Sequence, residues 1–309
     1  MAIDTLKLKS PSIDASLARK IEAQCILRSG KDLATGEILY EITTGNLLGS
    51  WDSRISLKVM REEYESRGRG KIELVPCEPY LLLEGSVHKI FFGHNVYGGP
   101  TDFLRIARDF VCLTEDLLGV DLPLADWWEV RRVDWAEMFR LSYVGIQEFF
   151  EGMSTCDFPR RKGQKYGMHS IYFPGTHCTL KLYHKGPDFQ AHDARRLNFF
   201  FKDYRYQKFP QDEMIAANTN WAKRKVEALQ RLANNRLRVE AEIHADKLDY
   251  DFGHKPLVSE VTEDYLRSVY DKEMLKLMRE GKSDMETVRE SRAVKNRLVN
   301  IYGEGEGSN

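Results

Sequence analysis

The run Leu237-Arg238-Val239-Glu240-Ala241-Glu242-Ile243-His244 places a charged or titratable side chain at every second position. In an extended strand that spacing puts Arg238, Glu240, Glu242 and His244 on one face and the apolar set on the other. Such a face is either a solvated sheet surface or the start of a polar site. Asp134 lies on a second stretch of the same period, Glu129 to Phe139, where Arg132, Asp134 and Ala136 alternate with Val133, Trp135 and Glu137. If these two strands are neighbours, Asp134 and Glu240 offer the oxygen ligands that Mg²⁺ or Mn²⁺ prefers. A third stretch, Thr179 to Lys185, sets Lys181, Tyr183 and Lys185 against Leu180, Leu182 and His184, so a phenol and cations share a face. A free phenol titrates near pH ~10 and becomes a nucleophile only where a neighbour takes up its proton or charge.

Other chemistries find less support. None of the 8 histidines has a second histidine two residues away, so a His-x-His metal pair is absent. His94, in the glycine-punctuated run from Gly93 to Pro100, remains open as a metal ligand, a DNA contact or a hydrogen-bonded loop residue. The 5 cysteines stand far apart, without zinc-site spacing, and read as reduced thiols, mostly in the core. No glycine-rich phosphate loop is present, since Gly45 to Gly49 lacks the lysine it would need. Lys plus Arg (46) nearly balance Asp plus Glu (47), so any nucleic-acid contact must be local. Three basic clusters are either solvated loops or phosphate contacts: Arg67, Arg69 and Lys71; Arg160, Arg161, Lys162 and Lys165; and Arg195 with Arg196.

The elements that must position these residues follow from periodicity. Ile3 to Lys9 and Asp52 to Val59 read as strands, Arg61 to Gly70 as a hairpin or loop leading to the apolar run Tyr80 to Leu83, and Val87 to Phe92 as another strand. Asp102 to Leu118 reads as an amphipathic helix stopped by Gly119, and Asp212 to Ala233 as a second helix with Ala222, Val226, Leu229 and Ala233 in one stripe. Beyond Pro256 two more helices are expected, one bearing Leu266, Val269, Tyr270 and Leu277, the other opening on Ser283-Asp284-Met285-Glu286, with a frayed tail from Gly303. This order predicts an α+β fold: a central antiparallel β-sheet with packed helices and a helical carboxy-terminal segment, divided as 1–255 and 256–309. With 42% hydrophobic residues the chain can bury a substantial core, and no apolar run suits a signal peptide or a membrane span, which places the protein in the cytoplasm.

Several stretches, in this order, resemble the gene II/X replication initiators of filamentous phages and, more distantly, the trans-acting plasmid initiators of rolling-circle replication. They are Ile3-Asp4-Thr5-Leu6-Lys7-Leu8, Lys89-Ile90-Phe91-Phe92-Gly93-His94-Asn95-Val96-Tyr97-Gly98, Arg132-Val133-Asp134, Leu180-Lys181-Leu182-Tyr183-His184-Lys185, and Leu237 to Ile243. The Gly-His-Asn-Val-Tyr-Gly run is the most specific of them.

The resemblance implies a sheet of the replication-initiator and relaxase kind, carrying a nickase that works in a bacterial host. It implies that Tyr183 is the nicking nucleophile, that Lys185 is the lysine following it, and that Asp134 and Glu240 hold Mg²⁺ or Mn²⁺. Glu242 joins them at a position where phage relatives often carry a basic residue. Origin DNA, double-stranded and locally unpaired, is the implied partner, with His94, Asn95, Arg132, Arg160, Arg161, Lys162 and Arg238 expected to contact it. A host helicase and polymerase are implied as further partners. Two rival readings stay open: a non-catalytic module that binds an origin or RNA, and a metal-dependent nuclease that uses water in place of Tyr183.

Overall fold

The period-two segments pair edge to edge in one sheet. The computed structural model describes residues 1–66, 72–153, 158, 161–208 and 215–280. In chain order the elements are β1 (Ala2–Lys9), α1 (Ala15–Glu22), β2 (Ile26–Lys31), β3 (Ile38–Leu48), β4 (Arg54–Ser66), β5 (Ile72–Ser86), α2 (Val87–Phe92), α3 (Phe103–Leu118), β6 (Glu129–Arg140) and α4 (Tyr143–Met153). They continue as β7 (Gln164–Lys165), β8 (Ser170–Phe173), β9 (Cys178–His184), α5 (Lys185–His192), α6 (Ala194–Lys208), α7 (Ile215–Ala233), β10 (Arg236–His244), α8 (Ala245–Phe252) and α9 (Glu263–Glu280). The described strands form a sheet in the order β2-β3-β4-β5-β1-β6-β10-β9-β8-β7, with each neighbouring pair antiparallel. The expected α+β class with a central antiparallel sheet is what the structure shows.

β10 lies between β6 and β9, and its register there is fixed by burial. Leu237, Val239, Ala241 and Ile243 join Val133, Trp135, Leu180 and Leu182 in a core that also takes in Phe103 and Phe110 of α3, Phe149 of α4, Leu248 of α8 and Leu266 and Tyr270 of α9. A slip of one residue would turn Arg238, Glu240 and Glu242 into that core and lose about 1.5–3 kcal/mol for each large apolar side chain expelled. The observed pairing sets Glu242 opposite Asp134 and Glu240 opposite Ala136 on β6, and Glu240 opposite Lys181 and Arg238 opposite Tyr183 on β9. A smaller core of Val96, Phe189, Ala194, Leu197, Leu229 and Ala233 joins α5, α6 and α7 to the loop after α2.

α3 begins and ends where expected: the Asp102 side chain accepts the Arg105 backbone N–H at 3.1 Å, and Gly119 takes φ 64 at the stop. Several other expectations give way. Val87 to Phe92 is helical, because Val87 and Ile90 face the core one turn apart and Gly93, at φ 77, returns its N–H to Lys89. Of the two readings for Arg61 to Gly70, the hairpin agrees with the structure and the loop does not: β4 still pairs antiparallel with β5 as far as Ser66, and residues 67–71 lie outside the described set. Arg195 and Arg196 open α6 instead of sitting in a loop, and Lys185 is the first residue of α5 instead of the last of a strand. Of the cysteines, Cys178 is buried, Cys25 and Cys77 are partly buried and Cys112 is exposed, while Cys156 falls outside the described residues. Residues 212–214, the expected helix at Ser283 and the tail also fall outside them. The described part of the segment after residue 255 adds Val258, Val261, Leu266, Val269, Tyr270 and Met274 to the larger core.

Candidate active site

Tyr183 on β9 is 8% exposed, and its hydroxyl donates to Glu240 Oε2 at 3.1 Å. The same oxygen accepts from Arg238 Nε at 3.2 Å, while Oε1 accepts from Lys181 Nζ at 3.2 Å. The acids converge on that ammonium, which also lies 2.5 Å from Glu242 and 3.8 Å from Asp134. Arg132 clamps Asp134 through two bonds of 2.7 Å and reaches Glu84 and Glu242 at 3.2 Å each. Asp134 and Arg238 are each 1% exposed and Glu240 is 4% exposed, so this part of the polar face is enclosed and is no solvated sheet surface.

Enclosure separates the protons. Burial pushes Asp134 well above the usual carboxylate range, helped by the charge of Glu240 and opposed by Arg132 and Lys181. Burial acts the same way on Glu240, but Arg238 and Lys181 outweigh it and hold that carboxyl below its ordinary value. Glu242 resists burial too, held at about 2 by bonds from His244 and Lys181. Burial and the Glu240 charge raise the Tyr183 phenol well above 10, against the pull of Arg238. The phenol therefore keeps its proton, and Glu240 is an ionised base within bonding distance of it.

Asp4 completes the cluster from β1. Its Oδ2 lies 3.2 Å from Arg238 Nη2, and its Oδ1 accepts from Ser86 Oγ at 3.1 Å and Asn95 Nδ2 at 3.0 Å. Burial works to raise its pKa, but Arg238 and Lys89 hold it well below the carboxylate range. Asp4 and Lys181 were visible in the sequence only as one acid in an apolar strand and as one member of the Tyr183 face; their partners come from strands distant in the chain.

The other expected residues divide by position. Lys185 is fully buried and turns away from the acids with the start of α5: its ammonium bonds Asp188, lies 3.7 Å from Asp193, and stands 5.9 Å from the Tyr183 ring centroid. Lys181, not Lys185, is the lysine beside the carboxylates. Asn95 and Arg238, expected on DNA, are interior, because a buried guanidinium needs acceptors and finds them in Asp4, Glu240 and the Asn95 carbonyl at 3.3 Å. Arg132 is partly exposed, with its donors committed to Asp134 and Glu84. Arg161 is tied to Glu273 of α9 at 2.6 Å and lies over the Phe158 ring, whereas Lys162 is exposed. Arg160, like Arg67, Arg69 and Lys71, lies outside the described residues. His94 is partly buried, its Nδ1 accepting the Val96 N–H at 3.3 Å; burial lowers its pKa to about 4 and leaves the ring uncharged at neutral pH. The preceding Gly93 is forced: a Cβ there would meet the Trp51 ring at 2.7 Å, besides the strain of φ +77.

The donor set fits a hard divalent cation in kind, since Asp134, Glu240 and Glu242 supply only oxygen, and they already surround one cationic group, the Lys181 ammonium. Among the described residues no three His, Cys, Asp or Glu side chains are already set to hold a metal ion. Also among them, no helix is long and apolar enough to cross a membrane. The model of a family of phage replication-associated proteins, covering the amino-terminal part of the gene II protein, matches residues 3–262, a span that contains every residue of the cluster. Among curated proteins none matches the chain.

Proposed function

The chain belongs to the family of phage replication-associated proteins defined by the amino-terminal part of the gene II protein, and from that premise we propose that it nicks and rejoins one DNA strand at a rolling-circle origin through a 5′-phosphotyrosine on Tyr183. The observation that carries the proposal is the 3.1 Å hydrogen bond from the Tyr183 phenol to an ionised, buried Glu240. A phenol held in its neutral form needs an acceptor as it attacks, and Glu240 Oε2 is placed to take the proton. The Tyr183 oxygen bonds to phosphorus while the bond from phosphorus to the 3′-oxygen breaks, and that oxygen takes a proton from water. The products are a 5′-phosphate joined to the protein and a free 3′-hydroxyl that a host polymerase can extend. Reversal by a 3′-hydroxyl reseals the strand without a nucleotide cofactor, because the ester keeps the phosphodiester energy.

Asp134, Glu240 and Glu242, which surround the Lys181 ammonium, are the residues that would hold Mg²⁺ or Mn²⁺. Bound there, the ion supplies positive charge to the scissile phosphate and its developing oxyanion. Arg132 keeps Asp134 oriented toward the shared point, and Arg238 does the same for Glu240. The Lys181 ammonium, in the same cluster, would offer a further positive charge to a non-bridging phosphate oxygen.

A denaturing gel of protein incubated with an origin oligonucleotide and Mg²⁺ or Mn²⁺ tests this. The wild type is expected to run as a covalent adduct, and Tyr183→Phe and Asp134→Asn are each expected to abolish both adduct and nick. Cleavage that survives Tyr183→Phe would assign the nick to water, and DNA binding without adduct, unaffected by EDTA, would make the protein a binding module.

A further inference from the structure

Beyond the acid cluster lies a cleft of ≈ 550 Å³ walled by Trp51, His94, Tyr97, Phe200, Phe201 and Trp221. We propose that this cleft is a stacking pocket for one or two bases of single-stranded DNA, holding the unpaired strand beside the Tyr183 site; the inference rests on the nicking reading and adds the means by which that strand is held.

Four observations carry it. The walls are flat rings packed on one another in pairs, so that the pairs brace the lining of the cleft: Trp51 lies 4.9 Å from Phe200, Phe201 meets Trp221 edge-on at 5.6 Å, and His94 meets Tyr97 edge-on at 4.9 Å. Tyr97 and Phe92, at the mouth, are 42% and 46% exposed. Every base has a face that such rings can stack on, whatever the sequence, and a duplex has no free face to offer.

The charges at the rim suit a polyanion. Among the described residues no acidic side chain lines the cleft, and Lys225 lies on its wall with Nζ 5.7 Å from the Trp221 ring centroid. On α6, the helix that supplies Phe200 and Phe201 to the cleft, Arg195 and Lys202 flank the exposed Phe199 ring at 5.8 and 6.0 Å. Aromatic rings interleaved with cations make a track for a phosphate backbone whose bases turn inward.

One wall is held under strain. Trp51 and Asp52 both take left-handed backbone angles, φ 59 and φ 55, which cost a side-chain-bearing residue free energy and persist only where surroundings impose them. Here the indole N–H donates to the Phe91 carbonyl at 3.2 Å and the Trp51 carbonyl accepts from Arg196, so the ring is fixed before any ligand arrives.

The cleft is also linked to the chemistry through the loop after α2. His94 lines it, and the next residue, Asn95, accepts through its carbonyl from Arg238, the same guanidinium that bonds Glu240 beside the Tyr183 hydroxyl. A strand threaded past that loop would present a base to the cleft and a phosphate to the acids.

The test uses the full chain carrying Tyr183→Phe, so that binding is read without covalent trapping, and titrates it with oligodeoxythymidine and with the duplex of the same length. Single-stranded DNA is expected to quench tryptophan fluorescence, and the duplex is not. Adding Trp221→Leu is expected to weaken single-strand affinity roughly 5- to 100-fold. Lys225→Glu, on the rim and outside the packing, is expected to weaken it as well. Equal affinity in these variants, or the absence of quenching by single strands, overturns the proposal. The adduct gel with wild-type protein separates the two readings: quenching without adduct removes the nicking chemistry and leaves the cleft, whereas full adduct formation by an otherwise wild-type Trp221→Leu chain that also binds normally removes the cleft alone.

Discussion

Glu240 satisfies three donors with two oxygens, and each of those donors is itself largely buried: the Tyr183 phenol, the Arg238 guanidinium and the Lys181 ammonium. Its charge therefore serves stability as well as chemistry. Glu240→Gln keeps the shape but leaves Arg238 with Asp4 as its remaining acid partner, and breaking a buried pair in this way costs about 3–5 kcal/mol. Urea denaturation of that variant is expected to show a midpoint well below wild type, together with loss of the adduct. Glu242→Gln, whose side chain is 18% exposed, is expected to cost less. The alternation of Glu240 and Glu242 made them legible in the sequence as a polar face, and the resemblance pointed to Tyr183. The roles of Lys181 and Asp4 were not legible, because which cation neutralises which acid depends on strand neighbours and register, and residues 4, 134, 181 and 240 meet only in three dimensions.

Elements were legible where one face is buried and the segment is long. β6, β9 and β10 each alternate over seven residues or more, and α3 carries both a capping aspartate and a stop glycine, so period and punctuation agree. α2 has only six residues, too few for its pattern to separate one helical turn from a strand, and packing against β1 and β5 decided the matter. The hairpin of β2 and β3 escaped notice for another reason: Ile26, Leu27, Leu33, Ile38, Leu39 and Tyr40 are exposed, so its apolar residues mark no core. None of the residues from Arg28 to Ile42 is buried, and this predicts that the far part of the hairpin is dispensable for folding. Replacing residues 28–42 with Asn-Gly, which closes Leu27 on its partner Thr43 in a tight turn, is expected to shift the thermal midpoint by no more than about 2 °C. A drop of many degrees in differential scanning calorimetry would show that the hairpin braces the sheet.

The whole molecule carries an acid sensitivity that its near-zero net charge conceals. His88 and His94 are both held down to about 4 from an ordinary 6.5, burial being the main cause. For His88 the charge of Asp4 opposes that shift, while Arg238, His94 and Lys185 reinforce it; for His94, Asp193 opposes it, and Lys185 and Arg196 reinforce it. The folded chain refuses protons that the unfolded chain accepts between pH 6.5 and 4. Stability is therefore whole above 6.5 and falls with pH across that window, by about 1.4 kcal/mol per unit for each histidine. Glu63 and Glu242, held at about 2, add their own loss only below their ordinary 4.5. Thermal midpoints are expected to decline from pH 6.5 downward, ahead of the loss from Glu63 and Glu242; a flat profile from pH 7 to 5 would contradict this.

The sheet order has a consequence for timing. β10 is the last of the described strands in chain order, yet it must lodge between β6 and β9, which precede it by dozens of residues. Until it does, the nucleophile on β9 and the acids Asp4 and Asp134 on the paired strands β1 and β6 lie on separate margins, with no strand joining them. Under the proposed chemistry, half-built copies are harmless to the genomes around them, and competence to cut arrives in a single step when β10 slides home.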